Sequence, residues 1–369
     1  MKIKKNKLQL KQEELEKVIK KTNEKINELG NNTNDLYISL QNIHNAFNNI
    51  KNVPEEFKVK YEKVNAIRLN WKEQVNQIEK NYQKAEVKQL GNGTAVVGTG
   101  VAVATMGPTV AMGIATTFGV ASTGTAISTL SGAAATNAAL AWLGGGALTA
   151  GGSGMAAGKI LLAMAGPIGW TIAGISLMTG GILFFKTKKN REKVEKIYIH
   201  ISDRDIKTYE LAIVELSERI KRIKNETLII NDAIIKIKKL NTDYNKLSVK
   251  EQYELGAYYN LMESSTMLLV NPILGLQPKV NNEDLEIFLV NVKDNEKKKI
   301  EKNKQMILYL SNLLFKIKLD EKEIKLLYKL YKKDNKFLEN MEMDKKDFNL
   351  DYLLIVQKFL NFRYKFREY

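Results

Sequence analysis

A chain of 369 residues without a cysteine leaves room for two or three ordinary domains and excludes disulfides, thiolate metal sites and cysteine nucleophiles. Its 57 Lys and Arg against 41 Asp and Glu give a formal net charge of +16, and the interleaving of both signs fits a general attraction to anionic headgroups or nucleic acid without selecting either. The average hides two kinds of polymer: 21 of the 24 glycines fall between Gly91 and Gly181, and Lys159 is the one charged residue between Gly91 and Phe185.

The start, Met1 to Lys21, is basic but has no apolar core segment of the secretory kind, which predicts synthesis and first folding in the cytoplasm. From Leu15 the apolar or small residues step by four and three through Ile19, Thr22, Ile26, Leu29, Thr33, Leu36, Leu40, Ile43, Phe47 and Ile50. That is a heptad seam. The same phase runs on through Phe57, Tyr61, Val64, Trp71, Val75, Ile78, Tyr82 and Ala85, with Pro54 and Arg68 as misfits. One phase over this length predicts a single long rod, on the order of 110 Å from Leu8 to Ala85, kinked or restarted at Pro54. The run from Gly30 to Asp35 is a second expected weak point.

The uncharged stretch comes next. Three candidate membrane segments are separated by helix breakers: Ala95 to Phe118, Ala126 to Leu143 and Ile160 to Phe185, with Gly144 to Gly146 and Gly151 to Gly154 as turns. Since roughly 20 apolar residues span a bilayer, transmembrane helices are expected here, in an even number because basic residues flank both ends. Those residues are Lys84 and Lys88 before the block and Lys186, Lys188, Lys189, Arg191 and Lys193 after it. Small residues recur at four-residue spacing in Ser128, Gly132 and Thr136, in Gly154 and Gly158, and in Ala165, Gly169 and Ala173. Such faces bring helix backbones together in lipid. The alternative is a buried core of small-residue helices within a soluble bundle.

A second seam follows through Ile206, Tyr209, Ile213, Leu216, Ile220, Ile223, Thr227, Ile230, Ile234, Ile237 and Tyr244, and it is expected to pair antiparallel with the first arm. Ser248 with Glu251 reads as a capping box, and further helices are expected over Asn282 to Lys318 and Asp320 to Lys332. The aromatic tail from Phe348 to Tyr369 reads first as a docking helix. The fold class predicted is all-α: long coiled-coil helices flanking a Gly/Ala-rich hydrophobic helical hairpin, with a C-terminal helical bundle. The domain boundaries expected are 1–90, 91–185, 186–246 and 247–369.

Catalytic chemistry lacks its parts. The two histidines, His44 and His200, lie on different arms, and no HExxH or GxSxG occurs. The stretch from Ser153 to Ile160 ends in Gly158, Lys159 and Ile160, but it has Ser153 where a phosphate-binding loop needs its first glycine and Ile160 where the loop needs a hydroxyl. An enzyme, a metal and a cofactor are all unexpected.

In layout the chain resembles helical pore-forming proteins of the cytolysin A and haemolysin BL type, and it is similar to apolipoprotein L proteins, whose glycine-rich hairpin sits between amphipathic helices. The runs from Ser122 to Ser128 and from Ala133 to Gly146 resemble hydrophobic modules of bacterial proteins suspected to act as membrane effectors of anti-phage defence. The resemblance implies a conditional membrane-inserting protein, pore-forming or permeabilising, acting as a toxin or antiviral defence effector at the inner membrane. Its partners would be a lipid bilayer, further copies of itself in a homo-oligomer and a protein trigger, with nucleic acid set aside. The other reading is a non-permeating, membrane-anchored coiled-coil scaffold or phage-type structural protein.

Overall fold

The computed structural model describes residues 6–91, 108–118, 185–277, 279–280, 282–340 and 343–366. Among these the chain is all-helical, and the one β-type contact is an isolated bridge between Lys51 and Asp243. Two compact units each draw on separate stretches of sequence. The hairpin unit comprises Lys21–Ala139 and Leu211–Gln277, and the tail unit comprises Met1–Lys20, Leu140–Glu210 and Pro278–Tyr369.

In the hairpin unit, α1 (Lys7–Asn48, from Lys21 onward) and α2 (Glu55–Gly91) form an antiparallel pair. The Arg68 guanidinium donates to the Leu40 carbonyl at 2.6 Å, the Tyr61 hydroxyl to the His44 carbonyl, and the rings of Tyr37 and Trp71 lie 5.7 Å apart. The single rod is thereby corrected. α1 stops at Asn48, and Asn52 takes a left-handed φ of 58° in the turn, a conformation that asparagine tolerates better than most residues. Pro54 then precedes α2, whose first turn carries Glu55 and Glu56. The heptad phase persists across this turn because both helices bury the same kind of seam: Leu29, Leu36, Leu40 and Ile43 on one side and Val64, Trp71 and Val75 on the other.

The second hairpin is built by α4 (Lys188–Ile237, from Leu211 onward) and α5 (Val249–Val270). Glu226 accepts from the Ser265 hydroxyl at 2.8 Å, and Arg219 donates to the carbonyls of Leu268 and Asn271. The capping box is present: Ser248 accepts from the Glu251 amide and the Glu251 carboxylate from the Ser248 amide. The two first-arm helices run parallel, against the antiparallel expectation. Glu28 pairs with Lys224 at 3.2 Å, Ser39 donates to Asn231 at 2.9 Å, and the Lys51 amide donates to Thr242 at 2.7 Å, so the numbers rise together. Each arm folds back on its own neighbour before meeting the other, and this reverses the sense that sequence order alone suggests.

The fifth helix of this unit is α3 (Pro108–Phe118), which packs on α2 and α5. It is the one described helix that lies wholly within the apolar block. Among the described residues no helix is long and apolar enough to cross a membrane, and the expected transmembrane helices are corrected on that finding. The long helices carry charge throughout, whereas α3 with its 11 residues reaches roughly 16 Å, about half a hydrocarbon core.

The tail unit holds the first residues of α1, the start of α4 and the helices α6 (Asn282–Val290), α7 (Asp294–Lys302), α8 (Lys304–Leu313), α9 (Glu321–Lys333), α10 (Asn335–Asn340) and α11 (Leu350–Phe366). Its core is aromatic: Tyr198, Tyr331, Phe348 and Phe359 are fully buried, with the Phe337 ring tilted against Tyr331 and edge-on to Phe348. The aromatic tail is a docking helix, α11, packed on α6, α8 and α9. Asp320 opens α9 with a second capping box through Glu323, and Arg204 donates to the Leu313 carbonyl at the end of α8.

Candidate functional site

The chemistry that singles out this sequence is the uncharged block, and its described end is α3. Pro108 opens the helix, where its fixed φ and missing N–H cost nothing. Ala111, Met112, Ile114, Ala115, Thr116 and Thr117 are all buried. A helix buried over so much of its surface needs close neighbours, and the closest is α1. A Cβ placed on Gly30 would lie 1.9 Å from the Thr109 carbonyl oxygen and 2.9 Å from the Gly113 nitrogen. One placed on Gly113 would lie 2.2 Å from the Ile26 carbonyl oxygen and 3.2 Å from the Gly30 nitrogen. Backbone meets backbone, and no side chain larger than hydrogen fits on either helix. This is the small-residue contact expected of helices packed in lipid, made here inside a charged helical bundle.

The far end of α3 is fixed by the main chain. The Ile273 amide, in the turn after α5, donates to the Thr117 carbonyl at 2.7 Å, which satisfies one of the orphan carbonyls of the last helical turn. The hydroxyls of Thr33, Thr116 and Thr117 are buried without a protein partner. α2 adds a buried cation: Arg68 is 3% exposed, and burial pushes its pKa below the ordinary value. It rests on a carbonyl and on Asn65 instead of a carboxylate. Buried groups of this kind cost on the order of 1–3 kcal/mol each when unpaired, so the bundle around α3 carries a standing polar cost.

The site residues expected from sequence divide as follows. Gly132, Gly154, Gly158, Ala165, Gly169 and Ala173 lie outside the described residues, as do Lys159 and the segments Ala126 to Leu143 and 160–184. Lys84 and Lys88 fall on the last turns of α2. Lys186, Lys188 and Lys189 are exposed at the start of α4. Arg191 and Lys193 serve the tail unit: Arg191 donates to the Phe185 carbonyl at 2.6 Å, and Lys193 pairs with Asp320 at 2.9 Å. That ion pair raises the Lys193 pKa and, with the Glu323 amide, lowers that of Asp320.

No protein family, no curated protein and no solved structure matches this chain. The function is therefore argued from its own residues. The residue that sequence reasoning missed is Gly30. It is one of three glycines outside the block, and it stands inside a heptad run where glycine is a poor choice for a helix. The structure carries α1 unbroken through Gly30 to Asp35, so the expected weak point is a seat for α3. The misplaced glycine was the available signal. Its partner was legible only as one of many glycines.

Proposed function

We propose that this is a conditional membrane-active protein whose charged helical body stores the near end of an apolar block and releases it to perturb a bilayer. The observation that carries this reading is the Gly30–Gly113 crossing, where an uncharged helix meets the charged body backbone to backbone. Such a contact has no charged or specific partner to lose, and the same small faces pack equally well on other helices in hydrocarbon. The exposed Lys186, Lys188 and Lys189 would draw the body toward anionic headgroups. Permeabilisation, assembly into a homo-oligomer, a protein trigger and action at the inner membrane, as a toxin or antiviral defence effector, belong to this proposal. Spanning helices do not.

The test is dye leakage from anionic vesicles and membrane potential in expressing cells. Aspartate at Gly132, Gly158 or Gly169 should abolish both effects while leaving the helical circular dichroism unchanged, and leakage that persists in all three variants overturns the proposal. One observation favours a second reading, a non-permeating coiled-coil scaffold: α3 is buried along most of its length, as a purely structural core helix would be. A scaffold leaves membrane potential intact.

A further inference from the structure

The hairpin unit contains a cavity of about 620 Å³, within the range of small-molecule sites, at the turn end of its two hairpins. On α2 the lining runs from Glu55 to Ala66, three helical turns or roughly 17 Å, so the space is elongated along that helix. Its walls are aromatic and aliphatic, with Phe47, Phe57, Tyr61, Tyr244, Leu255 and Tyr259 among them. Tyr61, Leu255 and Tyr259 are buried. Two polar groups of the wall are turned to the protein: the Tyr61 hydroxyl donates to the His44 carbonyl, and the Gln252 amide to the carbonyls of Tyr244 and Leu247. Charge is confined to exposed residues, with Lys58, Lys63, Glu55 and Glu62 at the opening.

Gly256 gives the cavity its meaning. It lies in the interior of α5, where glycine is disfavoured about fivefold relative to alanine. Among the described residues no neighbour requires it. A Cβ there would meet only the Phe57 Cε1 at 3.9 Å, an ordinary contact, in contrast to the backbone clash at Gly30. A glycine that packing does not demand, placed on the wall of an apolar cavity, keeps room for something that is not part of this chain.

We propose that this cavity binds the hydrocarbon chain of a monoacyl amphiphile, a free fatty acid or a lysolipid, with its headgroup at the opening beside Lys58 and Lys63. Elongation along α2 and a wall made mostly of aromatic and aliphatic side chains select a linear apolar chain over a compact polar ligand. The cations suit an anionic or zwitterionic head. Among the described residues none of the apolar block lines the cavity, so this proposal and the membrane reading stand or fall separately.

The experiment is displacement of the fluorescent fatty acid cis-parinarate from the full chain by saturated fatty acids from octanoate to palmitate, below their micellar concentrations. Affinity should tighten about fourfold per added methylene and then level off once the cavity is full. Gly256→Leu should weaken probe binding tenfold or more while the melting temperature holds or rises. Gly256→Ala should bind nearly as wild type and melt higher. Should Gly256→Leu fail to fold, Val59→Glu replaces an exposed wall residue (48% exposed) and should cause the same loss. Wild-type affinity in the folded Gly256→Leu variant, a gain with chain length that never levels off, or binding to phospholipid vesicles without binding of free fatty acids would each overturn the proposal.

Discussion

The Gly30–Gly113 crossing makes a prediction whose sign alone is informative. In a helix that touches nothing, Gly30→Ala stabilises by about 1 kcal/mol through propensity. Here the new methyl would sit 1.9 Å from a backbone oxygen, and no rotamer change can move a backbone. The strain belongs at the upper end of overpacking, about 3 kcal/mol, which leaves a net destabilisation of about 2 kcal/mol after the propensity gain. Undocking α3 is the other way to relieve the clash, and it would expose Met112 and Ile114, 3% and 1% exposed. At about 1.5–3 kcal/mol for each side chain, undocking costs roughly 3–6 kcal/mol, so Gly30→Ala should keep α3 seated and strained. Gly30→Leu should exceed that limit and release it. Urea denaturation measures the first effect, and amide hydrogen exchange across Thr109 to Thr117 measures the second. If Gly30→Ala is more stable than wild type by about 1 kcal/mol and α3 exchange is unchanged, the crossing does not exist and the argument for storage goes with it. If the crossing holds, Gly30→Leu should also leak vesicles at lower protein concentration than wild type.

Other expectations follow from single groups. Ser248→Ala removes the hydroxyl that accepts from the Glu251 amide and should lower the stability of the hairpin unit by about 1 kcal/mol, read from the urea midpoint. Burial holds the Asp205 carboxyl above its usual pKa despite Arg204 beside it and Lys279 nearby. The folded tail unit therefore binds this proton more tightly than the unfolded chain. Its stability should rise as pH falls through the raised pKa and stop rising below the unfolded value. Asp205→Asn should flatten that dependence and add about 1 kcal/mol at neutral pH by removing a buried charged oxygen that lacks a partner. His44 shifts the other way, lowered by burial first and by the Arg68 charge second, with Glu62 opposing. The hairpin unit should lose stability as pH falls through the range below the ordinary histidine value, and His44→Gln should remove that loss in a melting series.

The heptad seams were legible because burial on a helix has a fixed period: the seam residues from Leu15 to Ile43 are buried without exception. Even Arg68, a misfit by type, keeps its seam position by extending its guanidinium to a carbonyl. What the period does not encode is direction. A turn of six residues between Asn48 and Glu55 preserves the heptad phase while reversing the helix, so a folded hairpin and an extended rod share one pattern. The parallel pairing of α1 and α4 was hidden for the same reason. The capping box at Ser248 reads differently, since it is satisfied within four residues and depends on nothing remote. The cavity had no local signature beyond Gly256, whose lack of a packing reason shows only once Phe57 is placed near it.

The helical bundle and a bilayer make similar offers to α3, and the proposed function turns on that near-equality. In the bundle Met112 and Ile114 are removed from water by apolar neighbours, and hydrocarbon would remove them equally well. Their burial thus opposes escape into water without opposing transfer into a bilayer. With roughly 3–6 kcal/mol holding α3 against water, the released fraction in solution is on the order of one in a hundred to one in ten thousand. A bilayer alongside the body cancels most of that term, and what remains is the Gly30–Gly113 backbone contact and the Ile273–Thr117 hydrogen bond. Neither involves a charge, so salt should weaken attraction of the body to anionic vesicles and leave seating of α3 in solution unchanged. Leakage that falls with salt while α3 exchange in the absence of vesicles stays constant would separate arrival at the membrane from release of the helix. Exchange that rises with salt would place a charged contact in the seat and refute the account of a latch built from backbone alone.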